Sequence, residues 1–167
     1  MQQDGRLLVA INSQVFNTSP PGNFSVVARL NADGSLDPGF TKVETSGAAF
    51  DGITSMAVQP DGGIVIAGGF SLVNSTNRLG LARINSDGSL DTSFDPGLIA
   101  SFNAGAAGAA VTRVLAVGLQ PDGRIVFGGR FNGNVGGVIF NSLGRLNTNG
   151  SPDSSFKPNT GGADVSS

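Results

Sequence analysis

The chain contains no cysteine, histidine, tryptophan or tyrosine, and its only glutamate is Glu44. Without cysteine there are neither disulfides nor thiolate metal sites, and without histidine the commonest general base and metal ligand is missing. The aromatics are all phenylalanines, which lack the polar tip that tyrosine or tryptophan would bring to sugars or bases. Charge is scarce as well: 13% of the 167 residues are charged, the net charge is -2, and the basic residues stand singly. That pattern leaves no electrostatic footprint for nucleic acid or for an anionic membrane. Apolar runs such as Ile64 to Ala67 are too short to cross a bilayer. The first residues carry neither the basic segment nor the apolar core of a signal peptide, and Met1 falls inside a repeat. Catalysis is therefore not expected, nor is a bound cofactor.

What the chain has instead is glycine, 26 residues of it, and repetition. Gln59-Pro60-Asp61-Gly62 returns as Gln120-Pro121-Asp122-Gly123 and, with one change, as Gln2-Gln3-Asp4-Gly5. Each copy is followed by an apolar run and then a second anchor: Arg29 to Asp37, Arg83 to Asp91 and Arg145 to Asp153, each built on an Arg-(Leu/Ile)-Asn-x-(Asp/Asn)-Gly-Ser frame. A repeat of about sixty residues is one supersecondary unit that cannot bury its own apolar face, so such units must stack or form a ring. The single domain 1–167 divides into repeat one (1–40), repeat two (41–94), repeat three (95–156) and the start of a further repeat (157–167).

Within a repeat the pattern predicts short antiparallel strands and no helix. A first strand runs over Ile53 to Val58 and Val114 to Leu119, with Met56 and Val58, or Val117 and Leu119, on one face and small residues on the other. Pro-Asp-Gly makes the turn, because proline presets φ and glycine supplies a positive φ. The return strand is expected at Arg6 to Ile11, Gly63 to Ala67 and Arg124 to Phe127, ended by Gly68-Gly69-Phe70 and Gly128-Gly129-Arg130-Phe131. A third strand follows at Phe24 to Asn31, Leu79 to Asn85 and Leu143 to Asn147, then an Asp-Gly or Asn-Gly hairpin turn. A short fourth strand closes at Phe40, Phe94 or Phe156. The fold class is all-β: a β-propeller-type repeat of three blade-like antiparallel modules, three to four strands each, in which the ring is incomplete within this chain.

These motifs resemble the bacterial delta-60 repeat family, whose consensus joins the Gln-Pro-Asp-Gly turn, a Gly-Gly ending and an Arg-Leu-Asn-x-Asp-Gly-Ser-Leu-Asp-x-Ser-Phe closing stretch. Residues 59 to 94 and 120 to 156 match it well and residues 2 to 40 more loosely, while the long loops do not match. The resemblance implies a propeller-type repeat in large secreted or surface proteins of bacteria, with no enzymatic activity and no assigned ligand. Departures are Gln3 for Pro, Asn149 for Asp and Pro152 for Leu, which weaken single turns without threatening the fold.

Several constellations invite a functional reading. Asn85, Asp87, Ser89 and Asp91 surround Gly88 with oxygens as a weak calcium loop would, but the EF-hand spacing and its distal glutamate are lacking, and the same residues suit a tight hairpin. No metal is otherwise expected. Arg29, Arg83 and Arg145 can pair with Asp37, Asp91 and Asp153 across the turn; three equal sites favour a structural role, within a blade or between neighbours. The repeat positions Asp4, Gly5, Asp61, Gly62, Asp122 and Gly123 are turn residues. Gly68-Gly69 and Gly128-Gly129 lack the helix start and lysine of a phosphate cradle. The run Ala104 to Ala110 reads as a flexible loop. Asn17, Asn23, Asn74 and Asn149 head glycosylation sequons, meaningful only in a glycosylating pathway.

The leading expectation is a non-enzymatic extracellular or cell-surface module for structure, adhesion or assembly, with the variable loops Asn12 to Asn23, Ser71 to Arg78 and Asn132 to Phe140 carrying any contacts. The alternative is a ligand-binding propeller recognising a glycan or a protein through its loop face, and a remote third is a hydrolase with aspartates in a central channel. Three blades are too few for a ring, so the expected partner is a second copy, or further repeats of a longer chain. Asp164 to Ser167 align with Gly52 to Ser55, so laying the end of the chain before Met1 regenerates most of a first strand.

Overall fold

A computed structural model of the chain describes residues 2, 4–15, 22–47, 52–97, 113–135 and 138–158. The expected match of residues 164–167 to 52–55, the alanine- and glycine-rich run 104–110 and the sequon at Asn17 lie outside the described residues. The described residues form strands, turns and bends, with no helix among them. The strands are β1 (Leu7–Val15), β2 (Gly22–Leu30), β3 (Val43–Ser46), β4 (Ile53–Val58), β5 (Ile64–Gly68), β6 (Leu72–Val73), β7 (Thr76–Asn77), β8 (Leu81–Ile84), β9 (Arg113–Leu119), β10 (Ile125–Val135) and β11 (Val138–Leu146). They make three antiparallel sheets, ordered β1-β2-β3-β6-β7, β4-β5-β8 and β9-β10-β11.

The Asp-Gly turns set this register. Gln59 N–H donates to the Gly63 carbonyl and Gly62 N–H to the Gln59 carbonyl, and the same two bonds recur at Gln2–Gly5 and Gln120–Gly123. Gly5, Gly62 and Gly123 all hold φ between 81° and 87°, where a side chain would clash. The turn then feeds a strand whose alternate side chains point to opposite neighbours. From β5, Ile64 and Ile66 join an apolar layer with Val27, Phe40, Val43 and Ile84, shared with repeat one. Val65 and Ala67 join a second layer with Phe94, Ile125, Phe127 and Leu146, shared with repeat three. β5 is thus buried along its whole length, as a strand covered on both faces must be.

Several expected boundaries need correction. The strand from Ile125 does not stop at Gly128-Gly129: β10 continues to Val135 across a register shift and pairs with β11 to form one long hairpin. Asn132 to Phe140, expected as a loop, therefore lies largely in strands, and Phe127 packs against Phe131 and Phe140 with ring centroids 5.1 and 5.4 Å apart, which ties the two strands together. In the same way, β1 runs to Val15 and β2 begins at Gly22, which puts both ends of the expected loop Asn12 to Asn23 in strands, while its middle, 16–21, lies outside the described residues. Ser71 to Arg78 contains the β6–β7 hairpin, turned by Asn74 and Ser75 at positive φ. The fourth strand shrinks to one bridge per repeat, Leu30–Leu36, Ile84–Leu90 and Leu146–Pro152. The Asp-Gly turn brings only one residue pair into register before the chain leaves.

The connection after Phe40 contains a strand that the repeat pattern does not announce. β3 pairs with β2 through Ser25–Thr45 to Val27–Val43, and on its other edge with β6 through Thr45–Val73. The five-stranded sheet consequently spans two repeats. A segment leaving one blade for the next must satisfy its buried amides, and the edge of β2 beyond the Leu30–Leu36 bridge offers the partners.

Candidate functional site

The recurring arginines converge on the seams between repeats. Arg29 Nε donates to Asp37 at 2.7 Å and Arg83 Nε to Asp91 at 2.7 Å, each within its own hairpin. Nη1 of the same guanidinium then crosses to the following repeat and donates to the carbonyl of Ser86 (2.6 Å) or Thr148 (2.9 Å). The cation also lies over a phenylalanine of its own repeat, 4.8 Å from the Phe40 centroid and 4.9 Å from that of Phe94. One planar fork thereby ties a carboxylate, a ring and a neighbour's backbone, which a lysine could not do.

The turn that receives the arginine is fitted closely. A β-carbon built on Gly88 would sit 2.0 Å from the carbonyl oxygen of Thr41, the first residue of the connection that leaves repeat one after Phe40, and one on Gly150 would sit 2.5 Å from the Phe94 ring of repeat two. Thr41 N–H donates to the Asp87 carbonyl at 2.7 Å across the first seam. Glycine at these two positions serves the approach of a neighbour as well as a positive φ.

A second set of contacts lines the inner strands. Asn12 brackets Ile53, donating from Nδ2 to its carbonyl (3.0 Å) and accepting from its N–H at Oδ1 (3.1 Å), while Ser25 Oγ donates to Asn12 Oδ1. Across the next seam the Thr54 hydroxyl donates to the Val114 carbonyl at 2.7 Å, and Ser55 Oγ accepts from Val117 N–H at 3.2 Å. The repeat pattern does not flag these residues, because Thr54 and Ser55 align with Leu115 and Ala116 in repeat three. A hydroxyl breaking an apolar strand was the only signal available.

Several of the oxygens offered as weak calcium ligands take part in bonds of the turn itself. Asp87 Oδ1 accepts from Ser89 N–H (2.8 Å) and Ser89 Oγ (2.7 Å), and Asn85 Nδ2 donates to the same Ser89 hydroxyl. Asp91 faces Ser93 and Arg83 instead. Asn149 accepts from Ser151 in the same way that Asp33 and Asp87 accept from their serines, so its loss of charge leaves the turn intact. Asp4, Asp61 and Asp122 each accept the backbone N–H two residues on, at 2.9 to 3.1 Å. Among the described residues no three acidic groups gather into a metal-binding cluster.

Asp33, Asp37, Asp87, Asp91 and Asp153 are held below the ordinary carboxylate titration range. The causes are chiefly the Ser35 hydroxyl at Asp33, the Ser89 hydroxyl at Asp87 and the Ser155 hydroxyl at Asp153, and at Asp37 the Gly39 N–H followed by Arg29. Burial pushes Asp91 upward, but Ser93 and Arg83 together outweigh it. A depressed native pKa means that the unfolded chain takes up protons first as acid is added. The stabilisation is whole above the unfolded carboxylate value of about 4 and is lost as pH falls through the native values. Urea titrations should give an unfolding free energy that is level from about pH 7 to about pH 5 and declines below about pH 4. An unfolding free energy at about pH 3 equal to that at about pH 7 would contradict this account of the turns.

A family model described as "Domain of unknown function (DUF5122) beta-propeller" matches residues 2–40, 59–94 and 120–156. No curated protein and no solved structure matches the chain.

Proposed function

The chain belongs to the DUF5122 β-propeller family, and on that premise we propose that it is a non-enzymatic assembly module, a building block of an extracellular bacterial surface structure of the delta-60 repeat kind. The reading is supported by where the recurring polar residues are spent. Arg29 and Arg83 are committed to the repeat that follows, and the recurring aspartates to their own turns. Among the described residues no three acidic groups gather at one place.

The observation that carries assembly is an uncovered apolar sheet face. On repeat one, Leu7, Ile11, Phe24 and Leu36 are 38, 60, 37 and 70% exposed. Their neighbours at equivalent positions in β5 and β10, such as Ile64 and Ile125, are fully buried because another repeat covers them. Natural proteins rarely leave such a face, or a long strand edge, open to water. Light scattering on the purified chain across a dilution series should give a mass of two or more copies that falls on dilution. A single-chain mass at every concentration would overturn the assembly reading.

A further inference from the structure

We infer that the far face of repeat three is a socket for the turn Ala32-Asp33-Gly34 of a second copy of this chain, joined head to tail through Arg145. This deepens the assembly reading and rests on it. The socket already exists twice inside the molecule. In each internal seam an arginine paired with its own aspartate and stacked on its own phenylalanine sends Nη1 to a carbonyl in the next turn, Ser86 for Arg29 and Thr148 for Arg83. Arg145 has every element of the same donor half: Nε donates to Asp153 at 2.8 Å and the guanidinium lies 4.6 Å from the Phe156 centroid. Among the described residues, however, Nη1 reaches only Gln120 Oε1, at a long 3.3 Å, and no carbonyl of a following turn. Arg83 makes the corresponding long bond to Gln59 in addition to its carbonyl. Phe156 is correspondingly part-exposed, whereas Phe94, under Gly150, is fully buried.

Repeat one supplies the acceptor half. Ala32 aligns with Ser86 and Thr148, and Gly34 with Gly88 and Gly150. Gly34 holds the same left-handed φ, 85° against 90° and 89°, although a β-carbon built there would meet nothing within 4 Å. On the same repeat lies the apolar face of Leu7, Ile11, Phe24 and Leu36, and on β9 of repeat three Leu115 is 44% exposed where its counterpart Thr54 bonds to the next repeat. The two open faces are therefore mates, and the contact is heterologous: it closes into a ring if the rotation permits and otherwise extends. Two copies give the six blades of an ordinary propeller.

The variants Gly34→Asn and Arg145→Lys separate this joint from assembly in general. Asparagine tolerates positive φ and the space around Gly34 is open, so G34N should keep the wild-type circular dichroism while a docked neighbour would meet its side chain. Lysine keeps a cation beside Asp153 but cannot also reach the carbonyl of a second copy. Each variant alone should raise the dissociation constant measured by sedimentation at least about tenfold, the worth of a charge-assisted hydrogen bond. An equimolar mixture of the two should associate more tightly than either, since the sound face of one meets the sound face of the other. If G34N fails to keep its β spectrum, Leu36→Lys on the same face replaces it. Wild-type chains that associate with both variants unaffected would overturn the socket while leaving the assembly reading intact, and a mixture no tighter than its components would overturn the head-to-tail geometry. A wild type of single-chain mass would remove both.

Discussion

Alanine at Gly88 is expected to lower the unfolding free energy by about 3 kcal/mol, and the same substitution at Gly34 by only about 1 kcal/mol. Both glycines sit in the same turn at nearly the same φ, so the left-handed backbone penalty is common to the pair. They differ in what faces them. A β-carbon on Gly88 would lie 2.0 Å from the Thr41 carbonyl oxygen and 2.8 Å from the Thr41 nitrogen, and a backbone that is itself bonded to Asp87 cannot swing away. Relief requires the first seam to open, which uncovers the apolar layer beneath it. Urea denaturation of both variants, at concentrations where the wild type is dissociated, reads the difference directly. Equal losses would mean that Gly88 serves only its own turn and that the seam is not packed as described.

Removal of the Phe94 ring should cost about 3–5 kcal/mol, the range for emptying a fully enclosed aromatic site. Phe94 is wholly buried between repeats two and three, under Gly150 and against the Arg83 guanidinium. Phe94→Ala therefore opens a cavity and also strips the arginine of the ring that orients it toward Thr148. Collapse into the space is hindered by hydrogen-bonded turns on both sides. The loss should appear as a lower urea midpoint and a lower melting temperature, whereas Phe24→Ala, at a part-exposed site, should lose less than about 1 kcal/mol in the dissociated chain. A Phe94→Ala loss below about 1.5 kcal/mol would show that the seam contributes little to holding the repeats together.

Much of this architecture was legible because the repeat unit announces its own turns. Asp-Gly flanked by apolar runs can satisfy its backbone in few ways, and the turn bonds recur at Gln2–Gly5, Gln59–Gly62 and Gln120–Gly123, as the closing bridge does where Pro152 replaces leucine. Pro152 is harmless for a local reason: the bridge there is made by Asp153 N–H donating to the Arg145 carbonyl and by Asn147 N–H donating to Ser151, so its missing N–H is not needed. The pairing of Arg83 with Asp91 follows equally from spacing, since eight residues across a hairpin return the chain to the same level.

Other features were not legible, and the reasons are specific. β3 carries no repeat signature, because its partners on β2 and β6 are backbone groups and set no demand on side-chain identity beyond alternate burial of Val43 and Thr45. The extended β10–β11 hairpin crosses Gly128-Gly129, a pair that reads as a strand end; only the packing of three phenylalanines from both strands carries it onward. Whether the arginines act within a blade or between neighbours was left open by the sequence, since Arg29 and Arg83 cross to the carbonyls of Ser86 and Thr148, groups that any residue provides.

The amino-acid order by itself determined the number of repeats, the all-β character, the position of the recurring Asp-Gly and Asn-Gly turns and the arginine–aspartate pairs, because these depend on contacts a few residues apart and on backbone angles that only certain residues adopt. Tertiary structure alone decided which face of each strand meets which neighbour, how the arginines reach across the seams and which faces are left uncovered. Those outcomes depend on backbone atoms and surfaces brought together from about sixty residues away, where the chain's local chemistry exerts no preference of its own.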